Sequence, residues 1–192
     1  MKLIFASHNH NKTKEIQHVF QSFAEIKSLA DIGFDLEIEE NGLTLKDNAE
    51  IKAKTIWEAT QLNCFADDTG LMVTALNNEP GVHSARYAGL EKDPVANNKK
   101  LLQALNGKEN WEARFVTVIC LILNNEMHYF EGELKGTITP EPKGSEGFGY
   151  DPIFIPENDT RTLAQLSLEE KNRISHRGKA FAQMLDFIKT RL

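Results

Sequence analysis

The run from Glu112 to Leu123, rich in Phe, Val, Ile and Thr, constrains the fold more than any other stretch of this chain. Side chains of that kind fit a pleated, buried surface, and a run of that length predicts a major strand of a sheet. Asn124-Asn125 turns the chain back into Met127 to Leu134, where apolar and polar residues partly alternate, as in a half-exposed antiparallel partner. Gly136 to Thr139 adds a third strand segment. The N-terminal part is built differently: Lys2 to Ala6 reads as a strand, and a helix follows with Ile16, Val19, Phe20 and Phe23 at helical spacing. Hairpins and helix-linked strands in one chain predict an α/β architecture with a mixed sheet, not a purely parallel one.

The remaining elements carry their own signals. Asp35 to Ile38 reads as a short strand, and Thr44-Leu45-Lys46-Asp47 as a capping-box-like start to a long helix through Ile51, Ile56, Trp57 and Ala59. Cys64 to Ala66 and Gly70 to Leu76 read as two strands, and Pro80-Gly81 opens a loop holding Arg86 and Tyr87. Asp93-Pro94 is an N-cap and N1 pair for a helix ending near Leu105 at Asn106-Gly107. Ile153 to Ile155 is a short strand, and Ser167-Leu168-Glu169-Glu170 is a second capping box. Ser175 to Lys179 interrupts that helix before a last one that buries Phe181, Met184, Leu185 and Ile188.

With 192 residues the chain is read as one domain over residues 1–192. A net charge of −6 argues against a protein that coats nucleic acid through its phosphates, while leaving room for a small anion where bases gather locally. No apolar run is long enough to span a bilayer, and Met1 to Ala6 is too short to serve as an export signal. A soluble, cytoplasmic protein with no membrane partner is expected. Cys64 and Cys120 lie in apolar runs and lack the paired spacing of a zinc site, so both are expected as reduced core residues.

Four stretches carry chemistry. In Phe65-Ala66-Asp67-Asp68-Thr69-Gly70-Leu71 two adjacent carboxylates end an apolar run, and strand alternation lets only one of them point into a site. Carboxylate oxygen suits a hard cation such as Mg²⁺, and a carboxylate beside it can deprotonate water; one Asp capping a turn, with the other solvated, is the plainer account. Ser7-His8-Asn9-His10-Asn11-Lys12 leads a strand into a helix, a geometry whose free N–H groups and dipole attract phosphate, although Ser and Asn also serve as simple caps. Gly147-Phe148-Gly149-Tyr150-Asp151 sets an aromatic face for a base between glycines, or tucks Phe148 into the core. Five basic or potentially basic side chains between Lys171 and Lys179 point to an anion site, or to a solvated basic helix.

Taken in order, Ser7 to Lys12, Glu39-Glu40-Asn41-Gly42-Leu43-Thr44 with Asn48-Ala49, Ala66 to Leu71, Pro80 to Tyr87, Gly147 to Pro152 and Glu169 to Arg177 closely resemble the inosine triphosphate pyrophosphatase family over nearly the full length. Thr69 stands where that family usually has serine, and His8 where a small residue is common. The resemblance implies a two-lobed α/β fold around a long mixed β-sheet with flanking helices, an active-site cleft between the lobes, a homodimer and a Mg²⁺ requirement. It implies conversion of ITP, dITP or XTP to the monophosphate and pyrophosphate. Asp68 would be the catalytic proton acceptor and a metal ligand, with Glu39 and Glu40 as the source of further metal contact. Ser7, His8, Asn9, His10, Asn11 and Lys12 would hold the triphosphate, and Thr69 would contact substrate. Phe148, Gly149, Tyr150 and Asp151 would enclose base and sugar, and Lys171, His176 and Arg177 would complete the base pocket.

Two other readings fit parts of the pattern. A purine-nucleotide sensor that does not hydrolyse would use the same loop and aromatic pocket, but it gains little from paired acids beside phosphates. A pyrophosphatase for other altered nucleotides, pyrimidines included, would keep the chemistry and change the base pocket.

Overall fold

The computed structural model describes residues 1–20 and 23–191, with only the backbone at positions 18 and 19. The Val19 side chain expected in the first helix therefore lies outside the described residues. In chain order the elements are β1 (Lys2–Phe5), α1 (His10–Phe20), β2 (Glu25–Lys27), α2 (Leu45–Thr60), β3 (Cys64–Val73), β4 (Pro80–Gly81), α3 (Pro94–Leu105), β5 (Glu112–Leu123), β6 (Glu126–Ile138), β7 (Phe154–Pro156), α4 (Leu168–Ile174) and α5 (His176–Lys189).

Hydrogen-bonded neighbours in the sheet run β2-β1-β3-β5-β6-β7, with β4 attached to β3. β1 pairs in parallel with β2 and β3, whereas β4 on β3 and β7 on β6 are antiparallel, so the sheet is mixed. The β5–β6 hairpin turns at Asn124 and Asn125, both at positive φ (52° and 67°), the geometry a two-residue hairpin loop demands and asparagine tolerates. Helix starts follow their caps: Thr44 and Ser167 each head a full capping box, and the Asp93 side chain accepts from the Val95 N–H at 2.8 Å.

Several sequence expectations are corrected. Asp35 to Ile38 is irregular, because Glu25–Lys27 occupies the free edge of β1, with Leu3 opposite Ile26. Phe34 and Ile38 instead pack partly buried against an apolar cluster. Cys64 to Val73 is one unbroken strand that runs straight through Asp67-Asp68, and Thr74–Leu76 is a 3₁₀ turn. Gly136 to Ile138 continues β6 without a break, and the short late strand is Phe154–Pro156, preceded by a 3₁₀ turn at Asp151–Ile153. The interruption before α5 is Ser175 alone.

The chain divides into two compact units. The first comprises Met1–Asp68, Thr117–Gly132 and Arg177–Leu192. Its core contains Phe5 stacked on Phe65 at 4.9 Å between centroids and Phe181 edge-on to Phe65 at 5.7 Å, with Cys64 and Cys120 in a neighbouring buried cluster. Both cysteines are free, and burial pushes each thiol up to about 12, so they stay protonated and inert. The second unit comprises Thr69–Val116 and Glu133–His176, with its own core of Leu71, Leu101, Phe115, Tyr150, Phe154 and Leu163 among others. Among the described residues no helix is long and apolar enough to cross a membrane.

Candidate active site

Helix α2 carries the clearest departure from ordinary packing in the first unit. Its buried positions are Leu45, Asn48, Ala49, Lys52, Ala53 and Ile56, an i, i+3, i+4, i+7 stripe in which two members are polar. Both are aimed at Asp68. The Asn48 amide donates to Asp68 Oδ2 at 3.1 Å, and Lys52 Nζ lies 3.4 Å from Asp68 Oδ1 and 3.1 Å from Glu40 Oε2. Burial pushes the Asp68 pKa up, and this outweighs the pull of Lys52 and Lys12. For Lys52 burial acts to lower the pKa, but Asp68 and Glu40 outweigh it, and the ammonium stays charged.

Asp67 has different neighbours. Its Oδ2 is 2.9 Å from Lys12 Nζ and 3.4 Å from Arg177 Nε, and its side chain is fully buried. Arg177 also meets Glu15 at 2.5 Å, joining the starts of α1 and α5 to β3 through two anions and two cations. Burial alone would raise the Asp67 pKa; Lys12, Arg177 and Lys52 reverse that and hold it well below the usual carboxylate range. Lys12 is held below the usual lysine value, chiefly by burial. The two adjacent acids thus face separate partner sets, as strand alternation requires.

In the loop before α1, Asn9 acts as the helix cap: its Oδ1 accepts from the N–H groups of Asn11 at 3.0 Å and Lys12 at 3.2 Å. Ser7 Oγ accepts from Asn9 N–H, and the exposed His8 ring contacts the Leu36 carbonyl at 3.1 Å. His10 and Asn11 are exposed on the first turn. Glu39 is exposed too, and Glu40 is the member of that pair turned to Lys52.

In the second unit Asp151 is the hub. Its Oδ2 accepts the Phe148 N–H at 2.8 Å and the Lys171 ammonium at 2.6 Å, and that ammonium also stands 4.8 Å over the Phe148 ring. Gly147 makes room for this: a Cβ there would fall 2.1 Å from Asp151 Oδ2. Tyr150 is buried and donates its hydroxyl to the Ser84 carbonyl at 2.9 Å, and Thr69 is half-buried on β3. His176 stacks on Phe115 at 4.6 Å. Of the five basic side chains from Lys171 to Lys179, Arg173 pairs with Glu169 on the surface, Lys171 is buried against Asp151 and Arg177 is buried against Glu15 and Asp67.

Sequence reading passed over Lys52, Glu15 and the role of Asn48. The signal for two of them was present: an amide and a lysine interrupt an apolar helix stripe at i and i+4. Among the described residues no group of three or more His, Cys, Asp or Glu side chains is gathered for a metal. Asp68 and Glu40 do converge on one cation, the Lys52 ammonium. A pair of carboxylates suits a magnesium ion that takes its other oxygens from water and phosphate.

The Ham1 family model matches residues 3–187. A Flavobacterium psychrophilum protein named dITP/XTP pyrophosphatase is 50% identical over 189 residues, covering 98% of this chain and 100% of that one. A Porphyromonas gingivalis protein of the same name is 50% identical over 97% of both chains. The solved structure of a HAM1 protein from Coxiella burnetii superposes with a TM-score of 0.91 at 37% identity, covering 99% of each chain. With its mixed sheet and its full-length likeness to these proteins, the chain belongs to the Ham1 family.

Proposed function

We propose that this protein hydrolyses the non-standard purine nucleoside triphosphates ITP, dITP and XTP to the monophosphate and pyrophosphate, with Mg²⁺ as its cofactor. The observation that carries the reading is Asp68, a buried carboxylate with a raised pKa, fixed by Asn48 and Lys52 beside Glu40. The activity named for the relatives supports the reaction and the substrates. Release of pyrophosphate calls for water to attack the α-phosphorus, and Asp68 takes the proton that the water gives up. A raised pKa makes it a better acceptor near neutral pH than an ordinary aspartate. Asn48 and Lys52 hold its two oxygens, so the base does not have to be oriented at the moment of reaction.

Lys12 carries the charge that meets the leaving pyrophosphate, and Asp67 and Arg177 fix where that ammonium stands. The loop Ser7 to Asn11 lines the same end of the substrate. Asp68 and Glu40, with Glu39 as the alternative, would hold Mg²⁺, which when bound neutralises phosphate charge and makes water more acidic. Thr69 contacts substrate. The base lies on Phe148, enclosed by Gly149, Tyr150 and Asp151, with Lys171 and His176 supplying donors to a carbonyl at C6. Adenine has an amino group there, so a donor would face a donor and binding would be lost. A homodimer completes the reading, on the strength of the family resemblance.

The test is to incubate purified protein and Mg²⁺ with ITP, XTP, dITP, GTP and ATP in turn and to resolve nucleotide, pyrophosphate and phosphate. Monophosphate and pyrophosphate, formed mainly from the first three, are expected. Diphosphate with phosphate would mean attack at the terminal phosphorus and would overturn the mechanism. Tight binding without any product would favour a sensor.

A further inference from the structure

A loop with Gly147 and Gly149 both at positive φ (73° and 65°) is intrinsically free, yet Phe148 must present its ring in one plane for a base to stack on it. Asp151 restrains it from one side through the Phe148 N–H. Restraint also comes from α3, a helix to which neither the sequence motifs nor the proposed chemistry gives a role. Two consecutive asparagines on α3, Asn97 and Asn98, are buried, where solvated polar residues would be usual on a helix. Asn98 Nδ2 donates to the Gly149 carbonyl at 3.2 Å, a contact 51 residues away in the chain. Asn97 Oδ1 accepts the Ala88 N–H at 2.6 Å while its Nδ2 donates to the Ala85 carbonyl at 2.9 Å, closing the turn that holds Arg86 and Tyr87. The hydroxyl of Tyr150 on the Ser84 carbonyl ties that turn to the glycine loop.

The Asn98 amide makes this arrangement at a cost. Its Oδ1 is buried and makes no hydrogen bond among the described residues. Turning the amide over would put an oxygen against the Gly149 carbonyl, so the loop dictates the orientation and the unmet acceptor is its consequence. A residue kept only for packing would not need an amide with one half unmatched.

We propose that Asn97 and Asn98 are positioning residues for nucleobase recognition, a clamp by which α3 fixes the glycine loop and with it the plane of the Phe148 ring. The inference rests on the nucleotide reading above. The clamp acts on the base end of the substrate alone. Losing it therefore weakens substrates that carry a base and leaves inorganic pyrophosphate, which has none, binding as before.

The experiment measures kcat and KM for ITP and ATP, inhibition by pyrophosphate and thermal midpoint for the wild type, Asn98→Leu, Asn98→Asp and Asn97→Leu. Asn98→Leu removes the donor at similar volume, and Asn98→Asp sets an acceptor against the Gly149 carbonyl. In both, KM for ITP rises about tenfold with kcat changed less than about threefold, ITP-over-ATP preference narrows, and pyrophosphate inhibition is unchanged. Unchanged KM in both Asn98 variants overturns the proposal. So does a rise in KM matched by an equal loss of pyrophosphate inhibition and a lowered midpoint, which marks a general structural role. If Asn97→Leu does not fold, the two Asn98 variants decide the question. A wild type that makes no product from ITP removes the nucleotide reading and the clamp with it, whereas an active wild type with unaltered Asn98 variants removes the clamp alone.

Discussion

A carboxylate sealed from water stays ionised only where cations face it, and Asp67 has Lys12 at 2.9 Å and Arg177 at 3.4 Å. Asp67→Asn keeps the shape and removes the charge, leaving two buried cations short of an anion, so unfolding in urea at pH 7 should show a loss of about 3–5 kcal/mol. The pH dependence follows from sign. The folded pKa of Asp67 lies below its unfolded value, so its contribution is complete at neutral pH and is lost as pH falls below about 4 toward the folded pKa. The gap between wild type and Asp67→Asn should therefore narrow by about 1 kcal/mol at pH 3; a gap that stays constant would mean that the lost contacts were not ionic. Asp68 predicts the opposite pattern, because burial has raised its pKa. Asp68→Asn should cost little stability and nearly all turnover, at least about a thousandfold in kcat with ITP. Near-normal turnover would remove it from the base role.

Between residues and the whole, helix and loop positions show what the sequence could tell. Gly147 was legible as a glycine that lets backbone approach a ligand; what approaches it is the protein's own Asp151 carboxylate. Gly147→Ala must displace the group that holds both Phe148 and Lys171. Gly149→Ala meets nothing within 4 Å and carries only the strain of its positive φ. KM for ITP should accordingly rise about tenfold or more in Gly147→Ala and clearly less in Gly149→Ala, and equal effects would show that backbone strain is the cause. The capping signals at Thr44, Asp93 and Ser167 were readable because a cap is a local contact, made within three residues of the helix start. Asp35 to Ile38 misled because strand formation needs a partner, and Ile26 had already paired with Leu3. Alternation separates Asp67 from Asp68, yet the Asp67 partner Arg177 is 110 residues away, a distance no local pattern encodes.

On the scale of the whole molecule the mixed sheet was legible from a hairpin and a helix-linked strand in one chain, whereas two lobes were expected only from the family resemblance and no residue pattern marks where the units divide. β3 passes from one unit to the other at Asp68–Thr69, β5 at Val116–Thr117 and β6 at Gly132–Glu133, and in each strand the residue pattern continues unbroken. Charge, by contrast, is readable at this scale and leads to a prediction. The chain carries a net charge of −6, and around the two aspartates, among the described residues, the carboxylates of Glu15, Glu40, Asp67 and Asp68 are set against the cations of Lys12, Lys52 and Arg177. A triphosphate brings further negative charge to a region already short of positive charge, and low-dielectric surroundings magnify the repulsion. Lys12 cannot remedy this alone, since Asp67 already holds its ammonium. A divalent cation added with the substrate reverses the balance, so chelation should abolish binding as well as turnover. Calorimetric titration of pyrophosphate into EDTA-treated protein should give no measurable heat of binding, and Mg²⁺ should restore it. In the same samples Mg²⁺ and pyrophosphate together, at about a hundred times the dissociation constant, should stabilise the fold by about 3 kcal/mol while neither does so alone. Full affinity for pyrophosphate in EDTA would mean that Lys12 and the turn before α1 neutralise the phosphates unaided.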